Sequence, residues 1–186
     1  MSRWFVFFLF YSLAGYVLEK LFARAVRSSR QVRKCFLLLP LCPVYGVAMT
    51  ALAALAPAVR GFWTLAALGA VVCTAAEYLV HLFYDRAFGV WFWDYRQMPG
   101  HVRGRICPQF TAVWGVLSAL AIRWVHPWAE ALAARIPPEG IFLIWVVLAA
   151  DCVLTGALLL RYHDTELLRV GAVFAQARAA SQSSTS

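Results

Sequence analysis

Charged side chains are scarce in this chain. Asp, Glu, Lys and Arg make up only 14% of its 186 residues, and 62% of the residues are apolar or aromatic. A soluble domain usually has about 25% charged and about 45–50% apolar residues. This composition excludes an ordinary water-soluble domain, and it excludes intrinsic disorder, which requires low hydrophobicity and high charge density.

Motifs of catalysis and of cofactor binding are missing as well. There is no Walker A motif, because neither Lys20 nor Lys34 follows a glycine. There is no G-x-S-x-G motif, and no histidine directly flanks Cys42 or Cys107 in the sequence. None of the five cysteines forms a C-x-x-C pair, the spacing of a zinc or redox site. We therefore expect no cofactor, no metal and no unaided ATP hydrolysis, and no recognisable catalytic motif favours an enzyme.

The net charge of +8 bears on the partner. The basic residues stand in short stretches between apolar runs, where anionic lipid head groups would contact them. A basic domain that binds nucleic acid would instead group them on one face. We therefore predict the lipid bilayer as a partner and no nucleic acid.

Five apolar runs are long enough, or nearly so, to cross a bilayer. A hydrocarbon layer of ~30 Å needs about 20 residues at ~1.5 Å each. The predicted spans are Trp4–Phe22, a second that begins near Phe36 and continues over Val44–Val59, and then Gly61–Tyr84, Pro108–Val125 and Ile141–Leu160. Pro40 and Pro43 interrupt the second span, because proline lacks an amide donor and the residue before it avoids helical angles. We therefore predict an all-α integral membrane protein of five transmembrane helices, with a broken helix entry near these prolines.

The basic residues predict the orientation of the spans. Those in the loops after the first, third and fifth spans are Arg24, Arg27, Arg30, Arg33, Lys34, Arg86, Arg96, Arg103, Arg105, Arg161, Arg169 and Arg178. The opposite side has only Arg3, Arg60, Arg123 and Arg135. By the positive-inside rule the N-terminus lies outside and the C-terminus lies in the cytoplasm. The alternative that the first span is a cleavable signal peptide is disfavoured by the charged residues near its end.

Residues 1–162 form the predicted membrane domain. Within it, residues 127–138 carry charged residues and end in two prolines, which predicts a short interfacial helix. Residues 163–180 form a predicted amphipathic cytoplasmic helix with Asp164 as a candidate cap. Residues 181–186 form a polar tail that we expect to be disordered.

Two parts of the chain have similar sequences. Cys42-Pro43 and Cys107-Pro108 each begin a span, and an aromatic-Gly-Val step follows at Tyr45-Gly46-Val47 and at Trp114-Gly115-Val116. A glutamate-bearing span and a basic loop precede each copy. Helices 1 and 2 would then be repeated as helices 3 and 4 in parallel orientation. The alternative is coincidence in a chain rich in Ala, Leu and Val.

Acidic residues at membrane depth are candidate functional groups, because a carboxylate at the centre of a spanning helix costs roughly 2.5–3.5 kcal/mol. Asp151 lies midway along the fifth span, and Glu19 and Glu77 lie nearer the cytoplasmic interface. For Asp151 the alternative is a protonated acid or a helix–helix hydrogen bond. For Glu19 it is a surface pair with Lys20 or Arg24.

The third span and the loop after it carry further polar residues. Glu77, His81 and Asp85 share one helix face at spacings of four, yet one helix rarely supplies a complete metal site. In the loop, Asp94 stands among aromatic residues, and Arg105 can pair with Asp94 or Glu77. The alternative is an interfacial aromatic belt with arginines on lipid phosphates.

Taken together, these motifs resemble one family. The residues that carry the resemblance are Glu19, Phe36-Leu37, Pro40, Cys42-Pro43-Val44-Tyr45-Gly46, Glu77-Tyr78, Trp93-Asp94-Tyr95, Gly104-Arg105-Ile106-Cys107 and Trp114-Gly115. Over residues ~4–160 the chain resembles the bacterial putative ABC-transporter type IV family, the CmpB-like ABC transporter permeases. It departs from the family pattern at Arg33-Lys34-Cys35 and Leu39-Pro40, where glycines are usual, and at His101. The resemblance implies a multi-pass protein of the bacterial plasma (inner) membrane.

The leading hypothesis is a permease-like membrane subunit with a polar intramembrane cavity that is open to the cytoplasm. The candidate substrate-binding or cavity residues are Glu19, Tyr45, Glu77, Asp94, Arg105, Trp114 and Asp151. Energy would come from a separate ATPase subunit or from ion coupling, and five spans are few for half a transporter, which favours a homodimer. One alternative is an intramembrane enzyme acting on a lipid or polyprenyl substrate, with Arg105 on a phosphate. Another is a membrane scaffold or regulatory protein in which the polar residues hold helices together.

Overall fold

The computed structural model describes residues 2–25, 35–165 and 168. Its α-helices are α1 (Ser2–Ala25), α2 (Pro43–Leu55), α3 (Phe62–Phe88), α4 (Pro108–Leu120), α5 (His126–Arg135) and α6 (Pro138–Tyr162). Within these residues the only strand-like feature is an isolated antiparallel bridge between Val102 and Ile106. The predicted all-α class is therefore confirmed for the described part of the chain.

Helices α1, α3 and α6 are long and apolar enough to cross a bilayer. They contain 24, 27 and 25 residues, and at ~1.5 Å per residue each is longer than a hydrocarbon layer of ~30 Å. Their outer surfaces carry large apolar side chains such as Trp63 and Val153, which are 76% and 73% exposed. Exposing these surfaces to water would cost much free energy, whereas contact with lipid would not. The three helices correspond to the first, third and fifth predicted spans.

Helices α2 and α4 are shorter than the spans predicted for this part of the chain. Each contains 13 residues, which corresponds to ~20 Å of helix. A 3₁₀ turn at Ala56–Ala58 follows α2, because Pro57 has no amide with which to continue the α-helical hydrogen bonds. The backbone then becomes extended at Val59.

Helix α4 continues through a π-helical segment, Ala121–Val125, directly into α5. The His126 amide bonds to the carbonyl of Ala121, five residues back, and Pro127 removes the next amide donor. The short helix predicted before Pro137 is therefore α5, and it follows α4 without a loop. Sequence periodicity could not show this, because proline usually marks a helix boundary.

Both short helices begin at a Cys-Pro step. Cys42 and Cys107 are the N-cap residues, with extended backbone angles, and proline occupies the first turn in each case. The residue before proline avoids the helical region, and proline at the first helical position loses no hydrogen bond. The two Cys-Pro steps therefore fix where α2 and α4 begin.

Small residues bring the helices into close pairs, α1 with α2 and α3 with α4. Gly46 of α2 lies against Ser12 of α1, and Gly115 of α4 lies against the backbone of α3. A Cβ atom on Gly115 would lie 2.7 Å from the carbonyl oxygen of Ala66, so only glycine allows this approach. In membranes, small residues at helix interfaces permit such packing. The two pairs enclose the cavity described below.

Helix α6 packs mainly through its C-terminal half. Leu159 is buried in a cluster with Phe36, Leu37, Tyr84 and Phe92. These contacts come from the non-helical segment 35–42, from the end of α3 and from the loop that follows α3. Helix α6 thus holds the segment that leads into α2.

Several predictions concern residues outside the described part of the chain. The basic residues Arg27, Arg30, Arg33 and Lys34 lie there, as does most of the predicted amphipathic helix 163–180 and the whole of the tail 181–186. Within the described residues, α6 ends at Tyr162, and the Nδ1 atom of His163 lies 2.8 Å from the carbonyl oxygen of Phe88.

Candidate functional site

A cavity of about 390 Å³ lies among α1, α2, α3, α4 and the loop after α3. Most of its wall is apolar, and it includes Tyr11, Leu18, Met49, Val113 and Leu117. Two carboxyl groups, those of Glu19 and Glu77, stand among these side chains. Of the described residues that line the cavity, none is Lys, Arg or His. The described part of the lining is therefore mostly apolar and contains two acids and no base.

A tyrosine from the start of α2 binds the first acid. The hydroxyl of Tyr45 donates to Oε1 of Glu19 over 2.7 Å. The contact depends on the tight packing of α1 against α2, because Gly15 of α1 leaves space for the Tyr45 ring. The first acid is thus oriented by the neighbouring helix.

A tyrosine from the loop after α3 binds the second acid. The hydroxyl of Tyr95 donates to Oε1 of Glu77 over 2.7 Å, and both side chains are buried. Backbone contacts hold the tyrosine in place: its amide donates to the carbonyl of Gly104 over 2.8 Å. Burial raises the pKa of Tyr95, and the nearby Glu77 and Glu19 carboxylates raise it further. Tyr95 therefore remains a protonated hydrogen-bond donor at neutral pH.

A row of aromatic rings connects the two tyrosine–glutamate pairs. The ring centroids of Tyr45 and Trp114 are 5.6 Å apart, those of Trp114 and Phe110 are 5.8 Å apart, and those of Phe110 and Tyr95 are 5.0 Å apart. Phe110 and Trp114 are one turn apart on α4 and so share a face. This aromatic row lines the end of the cavity near which α2 and α4 begin.

The structure brings four of the seven predicted site residues together. Glu19, Tyr45, Glu77 and Trp114 line the cavity. Asp94, Arg105 and Asp151 are not among its lining residues.

Arg105 is bound at the end of α3. Its Nη2 atom lies 2.6 Å from Oδ2 of Asp85, and Nη1 donates to the Tyr78 hydroxyl over 3.3 Å. The prediction that Arg105 pairs with Asp94 or Glu77 was therefore wrong. Asp85 lies two turns beyond Glu77 on the same helix face, and the indole of Trp91 also donates to it over 2.7 Å. Together these contacts tie the loop to the end of α3.

Asp94 pairs within its own loop. Its Oδ2 atom lies 2.6 Å from Nη2 of Arg96, and its Oδ1 atom accepts from the Arg96 amide over 2.9 Å. The Arg96 hydrogen bonds lower the pKa of Asp94. The pair is largely exposed, so its net contribution to stability is small.

Asp151 of α6 binds the non-helical segment that precedes α2. Its two carboxyl oxygens accept from the backbone amides of Leu38, over 3.2 Å, and Leu39, over 3.0 Å. Thr155, one turn along α6, donates to Oδ1 over 3.3 Å. The side chain is thus bound between α6 and segment 35–42.

The predicted Glu77, His81 and Asp85 face divides among three different partners. Glu77 binds Tyr95, Asp85 binds Arg105, and Nε2 of His81 lies 3.1 Å from the Trp93 carbonyl oxygen. In the described part of the chain, no group of three or more His, Cys, Asp or Glu side chains could hold a metal ion. Each member of the face instead fixes a different part of the loop.

Sequence reasoning missed most of the apolar lining and also two members of the aromatic row, Phe110 and Tyr95. Phe110 could have been predicted, because this residue precedes Trp114 by one helical turn. The position of Tyr95 could not be predicted, because the folding of a non-helical loop over Glu77 has no periodic signal in the sequence.

Comparison with known proteins gives one family. The family model of the putative ABC-transporter type IV family matches residues 6–156, which include most of α1, all of α2–α5 and most of α6. No curated protein and no solved structure matches the chain. The match extends over every residue that lines the cavity. The chain therefore belongs to the putative ABC-transporter type IV family.

Proposed function

We propose that the chain is a permease-like membrane subunit of a transporter and that the cavity among α1–α4 binds its substrate. The observation that carries this proposal is the cavity itself, with its two tyrosine–glutamate pairs and mostly apolar wall. Ligand sites are usually concave spaces of ~300–1,000 Å³ with apolar walls and a few placed polar groups. Glu19, Tyr45, Glu77 and Trp114 are the proposed substrate contacts.

The energy source in this proposal is a separate ATPase subunit. The family supports it, and the chain itself has no Walker A motif. The described cavity is lined by residues of one chain, so a homodimer would contain two such cavities.

In the bilayer we propose five crossings, with the N-terminus outside and the C-terminus in the cytoplasm of a bacterial inner membrane. The three long helices and the basic loops support this arrangement. Segment 35–42 would be the re-entrant entry to α2. Residues 1–162 would form the membrane domain, with the helix 163–180 and the tail 181–186 on the cytoplasmic side.

We also propose that α1–α2 and α3–α4 are a parallel repeat. Both second helices contain 13 residues and begin at Cys-Pro. In both pairs the long first helix carries a glutamate that accepts from a tyrosine, although Tyr45 lies on α2 and Tyr95 lies in a loop. A pseudo-twofold axis along the membrane normal would relate the pairs.

Asp94, Arg105 and Asp151 have a positioning role in this proposal. Asp151 holds segment 35–42, and Arg105 holds the loop that carries Tyr95. These contacts are what the scaffold alternative would predict for these three residues. They do not account for the cavity, and so we prefer the transport function for the molecule as a whole.

The test compares two matched substitutions on α4, one at a residue that lines the cavity and one at a residue that does not. Val113 lines the cavity and Val116 does not, although both are valines of α4 and are 45% and 39% exposed. Tagged wild-type protein would be crosslinked and purified from its native membranes. We expect an ATPase subunit to copurify, and we expect Val113→Trp to lower ATP hydrolysis by the complex several-fold, because the indole fills the cavity. Val116→Trp should leave hydrolysis unchanged.

Two results would refute the proposal. One is the absence of any ATPase in the crosslinked complex. The other is equal hydrolysis by wild-type, Val113→Trp and Val116→Trp complexes.

A further inference from the structure

We propose that the substrate is a phospholipid of the surrounding bilayer, whose acyl chain enters the cavity sideways through a slot between α1 and α4. This inference rests on the proposed function, because it names the substrate class and the entry route for the same cavity. The exposure of the lining, the state of its polar groups and the closed end of the slot each support it.

The lining residues of α1 and α4 mark where the cavity opens. Those of α2 and α3 are buried or partly buried, and Ala48, Met49 and Cys73 form the floor of the cavity. A residue that lines a cavity and is also exposed stands at its mouth. Such residues are Ala14, Leu18 and Phe22 on α1 and Val113, Leu117 and Val125 on α4. The mouth therefore lies between α1 and α4.

Helical spacing gives this mouth the form of a slot. Ala14, Leu18 and Phe22 follow one another at intervals of four, as do Val113 and Leu117. Residues four apart share a helix face, so each helix presents one stripe, and the stripe on α1 is ~12 Å long. The main packing partners of α1 are α2 and α5, and that of α4 is α3. The two stripes are therefore the edges of a slot rather than an interface between α1 and α4.

The slot faces acyl chains in the proposed membrane arrangement. Helix α1 is long and apolar enough to cross a bilayer. Next to the stripes, both helices continue into exposed apolar side chains, Val17 and Leu21 on α1 and Val116 on α4. The edges of the slot thus belong to a surface that lipid covers, and an acyl chain can move into the slot without crossing water.

The polar groups of the cavity are engaged within the protein. Glu19 accepts from Tyr45, Glu77 accepts from Tyr95, and Ser118 donates to a backbone carbonyl of its own helix over 3.1 Å. A ligand rich in hydroxyl or charged groups would lose its hydration here with little compensation. A hydrocarbon chain has no such cost, and it gains dispersion contacts with the apolar wall.

The slot is closed at one end, which orients the lipid. One turn before Ala14, the Tyr11 hydroxyl lies 3.0 Å from Nδ1 of His126, where α5 packs against α1. The opposite end lies near Tyr45, where α2 begins. The acyl chain therefore points its terminal methyl group toward Tyr11 and leaves its head group at the opposite end. In the proposed orientation this end is cytoplasmic, so the substrate is a phospholipid of the inner leaflet.

Photolabelling tests whether an acyl chain reaches the floor of the cavity. The purified full-length chain would be placed in phosphatidylcholine nanodiscs that contain some phosphatidylcholine with a diazirine near the methyl end of one acyl chain. After irradiation, peptide mass spectrometry would locate the adducts. We expect adducts at Met49 and Cys73, which are only 7% and 9% exposed and line the cavity. Leu52, which is buried on α2 outside the cavity, should remain unlabelled.

Substitutions at the edges locate the route. Leu18→Trp places a larger side chain in the slot and should lower labelling of Met49 and Cys73 several-fold. Val17→Trp is the matched control, because Val17 is an exposed neighbour on α1 that does not line the cavity, and it should leave this labelling unchanged. Val113→Trp narrows the slot from its other edge and repeats the test where Leu18→Trp fails to fold.

Two results would overturn the inference. One is a set of adducts confined to residues that face outward, such as Val17 and Val116, which is also the result expected if a second copy of the chain fills the slot. The other is equal labelling of the floor in folded Leu18→Trp or Val113→Trp and in Val17→Trp.

The assay needs no ATPase, so its outcome is separate from the test of transport. If an ATPase copurifies and Val113→Trp lowers hydrolysis while the floor stays unlabelled, the substrate class is wrong and the transport function stands. If the floor is labelled through the slot but no ATPase copurifies, the lipid site stands and the transport function is wrong.

Discussion

Replacing Asp151 should loosen the segment that leads into α2 rather than remove a cavity group. Asp151 is buried, with 8% of the residue exposed, and its carboxyl group accepts from two backbone amides. A hydrogen bond to such a group contributes ~1–3 kcal/mol. Asp151→Ala removes both bonds, and we therefore expect it to lower the free energy of local unfolding by about 2–5 kcal/mol.

Cysteine labelling measures this effect locally. Cys35 and Cys42 flank the bound amides and are only 2% and 1% exposed, so a maleimide reaches them only when the segment opens. Because ~1.4 kcal/mol corresponds to a tenfold change, the low end of the range predicts labelling that is at least about 30-fold faster in Asp151→Ala. Asp151→Asn should have a smaller effect, because its amide oxygen can still accept from one of the two amides.

Two controls separate local opening from global unfolding. Cys73 is buried on α3, away from α6, and its labelling rate should not change. Thr155→Val removes only the 3.3 Å contact and should accelerate labelling of Cys35 little. If Cys35 and Cys42 react at the wild-type rate in Asp151→Ala, the carboxyl group does not hold this segment and the reasoning fails.

Two further predictions concern helix packing and the loop after α3. Gly115→Ala should destabilise the protein by ~1–3 kcal/mol, because the added Cβ meets the Ala66 carbonyl at 2.7 Å. Gly140→Ala, whose nearest neighbour would be 3.8 Å away, should be close to neutral in the same detergent-unfolding assay. The lowered pKa of Asp94 means that its contribution to loop order is present above its unfolded pKa of about 3.9 and is lost as the pH falls through the lower folded value. Trp91 fluorescence should report this loss, because the Arg96 guanidinium lies 5.0 Å from its ring centroid. Asp94→Asn should remove the part of the fluorescence change that depends on Asp94, whereas the direct hydrogen bond from the Trp91 indole to Asp85 is retained in this variant.

The regular parts of the molecule could be predicted from the sequence. Long apolar runs identify α1, α3 and α6, because crossing lipid requires that length, and the two Cys-Pro steps mark where α2 and α4 begin. The ends of α2 and α4 could not be placed, because hydropathy does not distinguish an α-helix from the 3₁₀ and π segments that follow.

The candidate site was only partly predictable for a similar reason. Glu19 and Glu77 are conspicuous as acids in apolar runs, and Tyr45 and Trp114 follow the Cys-Pro steps. Whether Arg105 meets Asp94, Glu77 or Asp85 depends on the path of a non-helical loop, which is set by backbone contacts such as that between Tyr95 and Gly104. Charge complementarity alone leaves all three acids as equal choices.

The shortness of α2 has a consequence for the surrounding lipid in the proposed five-crossing arrangement. Its 13 residues cover ~20 Å, which would leave about a third of a ~30 Å acyl-chain layer uncovered along its axis. Peptide groups that enter this remaining depth without helical partners must be sheltered by protein, because acyl chains offer neither donors nor acceptors. The amides of Leu38 and Leu39 meet this demand through a side chain supplied by another helix. Membrane thickness and the packing of α6 against segment 35–42 are thereby linked in this arrangement. A thicker bilayer should strain most the hydrogen bonds from these two amides to Asp151.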